Sequence, residues 1–371
     1  MTKIVPILLT LLIAGCASSP REVTVLVPAD ALPLDRTGQT LAERMAAEFA
    51  RQDGKDEEVA ASLAKAALLG DQPELARTAL RAALRARKPT TARVMLGRWR
   101  ELEPDSRLIA PYAAALALSD GKTDEARALI ADRGPDQTLP TEMVEALRWL
   151  PDLDRILPFL NTLSELSPTP AAAVTYSRFA ESAKAPEFAR DILDQAIDRM
   201  PEDAILRAYR ANLVQTSQPE LARADLQKAV ALKPDSRELR LSLAALEDAL
   251  GRSALAARVI AQMPDQDEEL IGIELAYAAK AEDTDLLKAA CTRLEQLATP
   301  HHAARLQLLG TCAELIEDPN RALYWYGQVG KDDVEYVDAR IRMASIQTEL
   351  ETVRRGARRA RRSARDRHPA P

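Results

Sequence analysis

Gln72-Pro73-Glu74-Leu75-Ala76-Arg77 returns unchanged as Gln218-Pro219-Glu220-Leu221-Ala222-Arg223, and Pro104-Asp105-Ser106-Arg107 returns as Pro234-Asp235-Ser236-Arg237. In both copies of the hexapeptide, Pro falls where the first turn of a helix has no partner for an N–H. The Glu after it complements the positive end of the helix dipole. In both copies of the tetrapeptide, Pro follows one helix and Asp or Ser can cap the next. Turn punctuation that recurs in this way marks helix–turn–helix units laid end to end. The separations of 146 and 130 residues are not multiples of one repeat length, so units of unequal length or insertions intervene.

Composition points the same way. The chain has 371 residues, 47% hydrophobic and 29% charged, which excludes a disordered chain and a multi-span membrane protein. Only 13 residues are Gly, about half the usual ~7%, too few for turn-rich β architecture. Much of the apolar content is Ala and Leu, which pack helices closely at low entropic cost. At ~150 residues per domain the length suggests two or three compact domains, but a stacked array escapes that arithmetic because each unit packs only on its neighbours.

Between these marks the chain resembles the tetratricopeptide repeat family, 34-residue helical hairpins defined by a sparse set of large and small positions. Segment 57–90 supplies Leu63-Ala64, Ala67, Ala76, Leu80 and Ala83, with Pro89 one place late. Segment 203–236 supplies Leu206, Leu213, Ala222, Leu226, Ala229 and Pro234, but places Arg210 where a small residue is expected. Segment 303–336 supplies Leu309-Gly310, Ala313, Ala322, Tyr326 and Val329. Weaker copies begin near 107 and 237, and residues 135–200 fit poorly. The resemblance implies an all-α fold, a right-handed α-solenoid of about 17–18 helices over residues 41–351.

It also implies a groove lined by the first helix of each hairpin. Carried across position by position, the groove residues are Ala61 and Lys65, then Pro111, Tyr112 and Ala115, then Arg207 and Ala211, Leu241 and Ala245, and Gln307 and Thr311. These are mostly small and apolar. That disfavours a clamp for a terminal carboxylate and favours an amphipathic helix or apolar segment as ligand, with the chain's own N-terminal tether as an alternative occupant.

The first residues read as an address. Lys3 precedes an eleven-residue apolar run over 4–14, too short to cross a bilayer core that needs ~20 residues. It ends in Ile13-Ala14-Gly15-Cys16-Ala17, which resembles a bacterial lipoprotein signal with cleavage before Cys16 and acylation of its thiol. Ala17, rather than Asp, then implies the outer membrane, periplasmic face. Residues 1–15 are therefore expected to be a signal peptide and 16–40 a lipidated N-terminus and tether, broken by Pro20, Pro28 and Pro33. Val23-Thr24-Val25-Leu26-Val27 is read as an extended segment lying along the first helices.

Lys and Arg number 50 against 56 Asp and Glu, a net charge of −6. Eight Arg and one Asp fall within 354–371, so that tail is strongly basic and the remainder strongly acidic. The tail, taken as 352–371, admits three readings: a charged capping helix, an anionic-lipid docking element built on Arg354, Arg355, Arg358, Arg359, Arg361 and Arg362, or an altered chain end. Residues 335–350 read as a helix with Val337, Ile341, Ala344 and Thr348 on one stripe. Tyr324-Trp325-Tyr326 cannot all face one core. Tyr326 takes the bulky core position, which leaves Tyr324 and Trp325 to touch the next hairpin or a partner. Cys291 and Cys312 stand almost symmetrically about the turn near Pro300, and a disulfide and two buried thiols are both compatible with that.

No catalytic constellation is present: no GxSxG, HExxH, CxxC or Walker motif, and no cofactor, metal site or nucleic-acid partner is expected. The chain thus reads as a non-catalytic interaction scaffold at the outer membrane, with envelope proteins or peptides as partners, assisting assembly of an envelope complex. The alternatives are a regulator of peptidoglycan synthesis and an anionic-lipid- or glycan-binding envelope protein.

Overall fold

The computed structural model describes residues 34–131, 138–297 and 302–367, with side chains described up to residue 360. Cys16, the signal segment, the apolar run at 23–27 and the side chains of Arg361 and Arg362 lie outside the described residues.

Nineteen helices follow one another among the described residues. The first six are α1 (Arg36–Gln52), α2 (Asp56–Leu69), α3 (Pro73–Arg85), α4 (Pro89–Leu102), α5 (Ile109–Ser119) and α6 (Thr123–Ala131). Then come α7 (Leu139–Leu147), α8 (Leu153–Leu166), α9 (Pro170–Ser182), α10 (Pro186–Arg199), α11 (Ala204–Val214) and α12 (Pro219–Leu232). The remainder are α13 (Arg237–Ala249), α14 (Ser253–Ala261), α15 (Glu268–Lys280), α16 (Thr284–Gln296), α17 (Ala303–Leu315), α18 (Pro319–Gly327) and α19 (Tyr336–Arg367). Contacts run almost wholly between consecutive and next-but-one helices, as an all-α solenoid requires.

The local code is in the caps and turns. Both hexapeptide copies place Pro at the first position of a helix, α3 and α12. Ser236, in one copy of the tetrapeptide, caps α13 by accepting from the N–H of Leu239. Asp35, Asp152, Asp203, Asp267, Asp283 and Asp318 cap α1, α8, α11, α15, α16 and α18 in the same way.

Seven turns share one backbone solution. A residue in the left-handed region stands two places past the helix, and the next residue's N–H reaches back to the carbonyl five residues before it. The left-handed residues are Gly54, Arg87, Gly121, Lys184, Gly251, Glu282 and Glu317. The donors after them are Lys55, Lys88, Lys122, Ala185, Arg252, Asp283 and Asp318. Each of these turns joins an odd helix to the even helix after it. The hairpins are therefore α1/α2, α3/α4 and so on, and the two faces of the array are an odd row and an even row. Packing agrees: α5, α7, α9 and α11 stack in succession, as do α6, α8 and α10.

Several expectations are corrected. The segment 57–90 is not one hairpin but the second helix of one and the first of the next, because Gly54 makes the turn within the first hairpin. The large–small pattern of Ala and Leu occurs in both phases, and the turn chemistry decides between them. The expected tether is helical from Arg36, since Asp35 caps α1. That extra helix and the resolution of 135–200 into α7, α8, α9 and α10 raise the helix number to nineteen. No break separates 335–350 from the basic tail: α19 runs unbroken to Arg367.

The core is a chain of linked clusters along the array. Fully buried Ala at 66, 67, 76, 79 and 83 lets helices approach closely. Cys291 of α16 and Cys312 of α17 are joined by a disulfide, with Cα atoms 5.6 Å apart. It ties one hairpin to the next and restricts the unfolded chain by about 3 kcal/mol in the loop-entropy account.

Arg210, out of place in the repeat pattern, is answered by Asp225. Its guanidinium donates through Nε and Nη2 to the two Asp225 carboxylate oxygens, both at 2.7 Å, and through Nη1 to Asp194 at 2.7 Å. The hydrogen bond to Asp225 is the main cause that holds Arg210 above its ordinary pKa, against the burial that opposes it. One Arg on α11 thus clasps α10 and α12. Arg223 with Glu247 (2.7 Å) repeats the device one helix on, and Arg293 with Glu274 again at α16 and α15.

Candidate protein-binding surface

The structure spreads the expected groove residues over both rows. Ala61 and Lys65 lie on α2, in the even row, and both are exposed. The Lys65 ammonium stands 3.5 Å from Glu43 of α1. They do not join the others. Tyr112 is on α5 in the odd row but fully buried, as are its neighbours Pro111 and Ala115. Its hydroxyl accepts from Arg81 Nε at 2.6 Å and donates to Glu142 at 3.1 Å, which stitches α3, α5 and α7 together. Burial pushes this phenol above its ordinary pKa, with the Arg81 hydrogen bond opposing. Tyr112 is thus consumed by the fold.

Arg207 is consumed too. Its guanidinium donates to the Pro201 carbonyl at 3.1 and 3.0 Å and lies 3.4 Å from Asp225. Gln307 donates to Asp338 of α19, and Thr311 shares a 3.2 Å hydrogen bond with the Tyr326 hydroxyl. Both therefore serve the packing of α17 on the helices after it. Tyr324 is 58% exposed, its ring set edge-on to Trp325 at 4.9 Å between centroids. Trp325 packs between two core clusters.

What remains open is a cavity of about 310 Å³ between two odd-row helices, α11 and α13. Ala208, Ala211, Asn212 and Gln215 form one wall, and Ser242, Ala245, Leu246 and Ala249 the other. Leu226 of α12 closes the floor. Here two of the expected residues, Ala211 and Ala245, come together, and Leu241 is half-buried on the same helix one turn earlier. No charged side chain lines it. The walls are short because small residues stand at one-turn intervals on both helices, leaving a trough with two amides and a hydroxyl for orientation. Such a trough suits the apolar face of a helix.

A second odd-row groove was not foreseen. A cavity of about 450 Å³ separates α1 from α3, lined by Leu41, Arg44, Met45, Glu48, Leu75 and Thr78 among others. Phe49 stands exposed beside it. The signal was in the sequence: Leu41, Met45 and Phe49 recur at four-residue spacing, an apolar stripe that stands exposed among the described residues. The mistaken phase at 57–90 hid it.

Neither groove is lined by His or Cys. Among the described residues no group of three His, Cys, Asp or Glu could hold a metal ion, and no helix is long and apolar enough to cross a membrane. Glu274, whose carboxyl burial pushes up, is tied to Arg293.

No protein-family model matches the chain, and no curated protein matches its sequence. Solved structures do match. The tetratricopeptide-repeat domain of P58(IPK) is 18% identical, with 84% of this chain and 89% of that one covered and a TM-score of 0.27. A tetratricopeptide repeat protein from Parabacteroides merdae ATCC 43184 is 15% identical, with 75% of this chain and 100% of that one covered and a TM-score of 0.31. Identities this low and superpositions this loose leave the chain's own helix order and turns as the ground for the solenoid.

Proposed function

We propose that the chain is a non-catalytic, tetratricopeptide-like scaffold whose odd-row surface holds a helical or apolar segment of a partner protein. The observation that carries this reading is the uncharged trough between α11 and α13. A carboxylate-binding site would need cations there, and an enzyme would need a general base beside the one hydroxyl, that of Ser242. The trough is lined by no charged or imidazole side chain. Its lining of Ala, Ser, Asn and Gln gives shape and weak polarity, which fits recognition of a helix face.

Location belongs to the same proposal. The sequence before Cys16 supports acylation there, and several acyl chains at ~0.8 kcal/mol per buried CH₂ hold a protein stably where one chain is marginal. Ala17 supports the outer membrane, with the array facing the periplasm. The Cys291–Cys312 disulfide supports an oxidising compartment. On this reading the chain assists assembly of an envelope complex: the anchor fixes position and the array offers a long contact surface.

Ala245 is exposed, so Ala245→Arg fills the trough with a charge while helix propensity stays favourable. Capture of partners by the purified variant should fall tenfold or more, equivalent to about 1.4 kcal/mol, at unchanged helicity. Unchanged capture would count against the trough. For the anchor, mass spectrometry of the mature N-terminus should find an acylated Cys16; an unmodified thiol would remove the membrane from the proposal.

A further inference from the structure

The described chain begins at Leu34, and its entry into α1 is held from two sides. Gln39 Nε2 donates to the Leu34 carbonyl at 2.8 Å. A Cβ at Gly38 would lie 3.0 and 3.1 Å from Cδ2 and Cβ of Leu34, so the missing side chain lets Leu34 fold back on the first turn of α1. At about 100° per residue, Gly38 stands within about 20° of Met45 and Phe49 and about 60° from Leu41. The chain therefore arrives across the side of α1 that carries the open apolar stripe, at the head of the groove between α1 and α3.

That groove is apolar along α1, where Leu41, Met45 and Phe49 are each more than half exposed. Its cavity of about 450 Å³ is of the size that holds a ligand. Its charged lining is balanced, with Arg44 and Arg51 against Glu48 and Glu74. Glu48 pairs with Arg51 and Glu74 with Arg77, while Arg44 is exposed at the rim. An occupant needs apolar side chains at a matching spacing and no net charge.

The sequence just before Leu34 meets both conditions. Residues 23–29 carry no charge, and Val23, Val25 and Val27 stand at alternate positions. In an extended chain alternate residues share a side about 6.6 Å apart, against about 6 Å for each four-residue step of the α1 stripe. The three Val would span about 13 Å, and Leu41 to Phe49 about 12 Å. Reach is sufficient as well. The seven residues from 27 to 34 extend to about 23 Å at most, and Leu41 lies only about 8 Å along α1 from Arg36.

We propose that Val23-Thr24-Val25-Leu26-Val27 fills the groove between α1 and α3. It runs antiparallel to α1, with Val27 over Leu41, Val25 over Met45 and Val23 over Phe49. Connection favours this occupant as much as shape does, since a tethered segment meets its groove at an effective concentration on the order of millimolar. The first groove of the odd row is then closed to partners by the chain itself, and the trough between α11 and α13 stays open. Neither acylation of Cys16 nor the role of the trough enters the argument.

The test reads coverage of Met45 by thiol chemistry in the purified full chain carrying Cys16→Ser, in which Cys291 and Cys312 are bonded to each other. Met45→Cys should react with a maleimide at least tenfold more slowly than Ala46→Cys, whose position is exposed about 100° round the same helix. Adding Val23→Asp, Val25→Asp and Val27→Asp should bring the two rates together at unchanged helicity, since the three positions lie outside the nineteen helices. Under oxidation, Val25→Cys with Met45→Cys should close a disulfide within one chain, while Val25→Cys with Ala61→Cys on α2 stays open. Equal rates before the Asp substitutions overturn the proposal, as does protection that survives them. A crosslink that forms between chains overturns it too, and would assign the groove to the segment of a second copy.

Discussion

Asp225→Ala should destabilise the middle of the array by about 3–5 kcal/mol, the range for removing one partner of a buried ion pair. The Asp225 side chain is 2% exposed and takes both forks of Arg210, itself 14% exposed, as well as the flank of Arg207. Without it, the Arg210 guanidinium loses its main acceptor in a place water barely reaches, and Arg207 keeps only the Pro201 carbonyl. Asp194 still accepts from Arg210, but it is 38% exposed and holds only one nitrogen. Breaking the pair is much worse than replacing it. Arg210→Met with Asp225→Leu should therefore cost far less than Asp225→Ala alone, since it buries apolar side chains of similar size. Arrays of this kind open in parts, so amide hydrogen exchange of α11 and α12 is the appropriate measurement. A loss of protection below about 1 kcal/mol in Asp225→Ala would show that the clasp is incidental.

Gly310→Ala is the second large effect, and its sign depends on one ring. A Cβ built at position 310 would lie 2.4 Å from Cε1, 2.6 Å from Cδ1 and 2.7 Å from Cζ of Tyr326. Tyr326 is fully buried and cannot swing aside, because its hydroxyl bonds Thr311 and donates to Glu314. Overpacking of this kind costs about 1–3 kcal/mol or more, which outweighs the ~1 kcal/mol that Ala gains over Gly in a helix. In a Tyr326→Leu background the ring is gone, and the same Gly310→Ala change should become neutral or stabilising. Denaturation of the four chains closes the cycle. Equal destabilisation in both backgrounds would contradict the assigned contact between α17 and α18.

These two sites show what the sequence could and could not convey. Gly310 and Tyr326 were legible because a missing side chain and a bulky one stand at the repeat's expected places. Arg210 read only as a fault in the pattern. Its partner lies 15 residues away on the next helix, and no local rule announces an ion pair made between elements. The all-α solenoid was readable from Pro-led helix starts, Asp and Ser caps, and the scarcity of Gly. The phase of the hairpins at the N-terminal end was not. Ala and Leu repeat in both phases, and the deciding feature is a left-handed turn residue that is Gly at 54, 121 and 251 but Arg, Lys or Glu elsewhere. Of the expected groove, only Ala211 and Ala245 line the open trough. Tyr112 and Arg207 carried the right positions but had hydrogen-bonding capacity that the fold itself absorbs.

The claim that the odd-row trough is the working surface is tested most directly by site-specific photo-crosslinking in the cells that make the protein. A photoreactive residue would be placed at Ala245, at Asn212, or at Lys228 on α12 in the even row, where the side chain is exposed and lines no part of the trough. The expected result is one defined set of protein adducts at Ala245 and Asn212, absent at Lys228. Adducts of equal yield and identity at all three positions, or none within the trough, would contradict it.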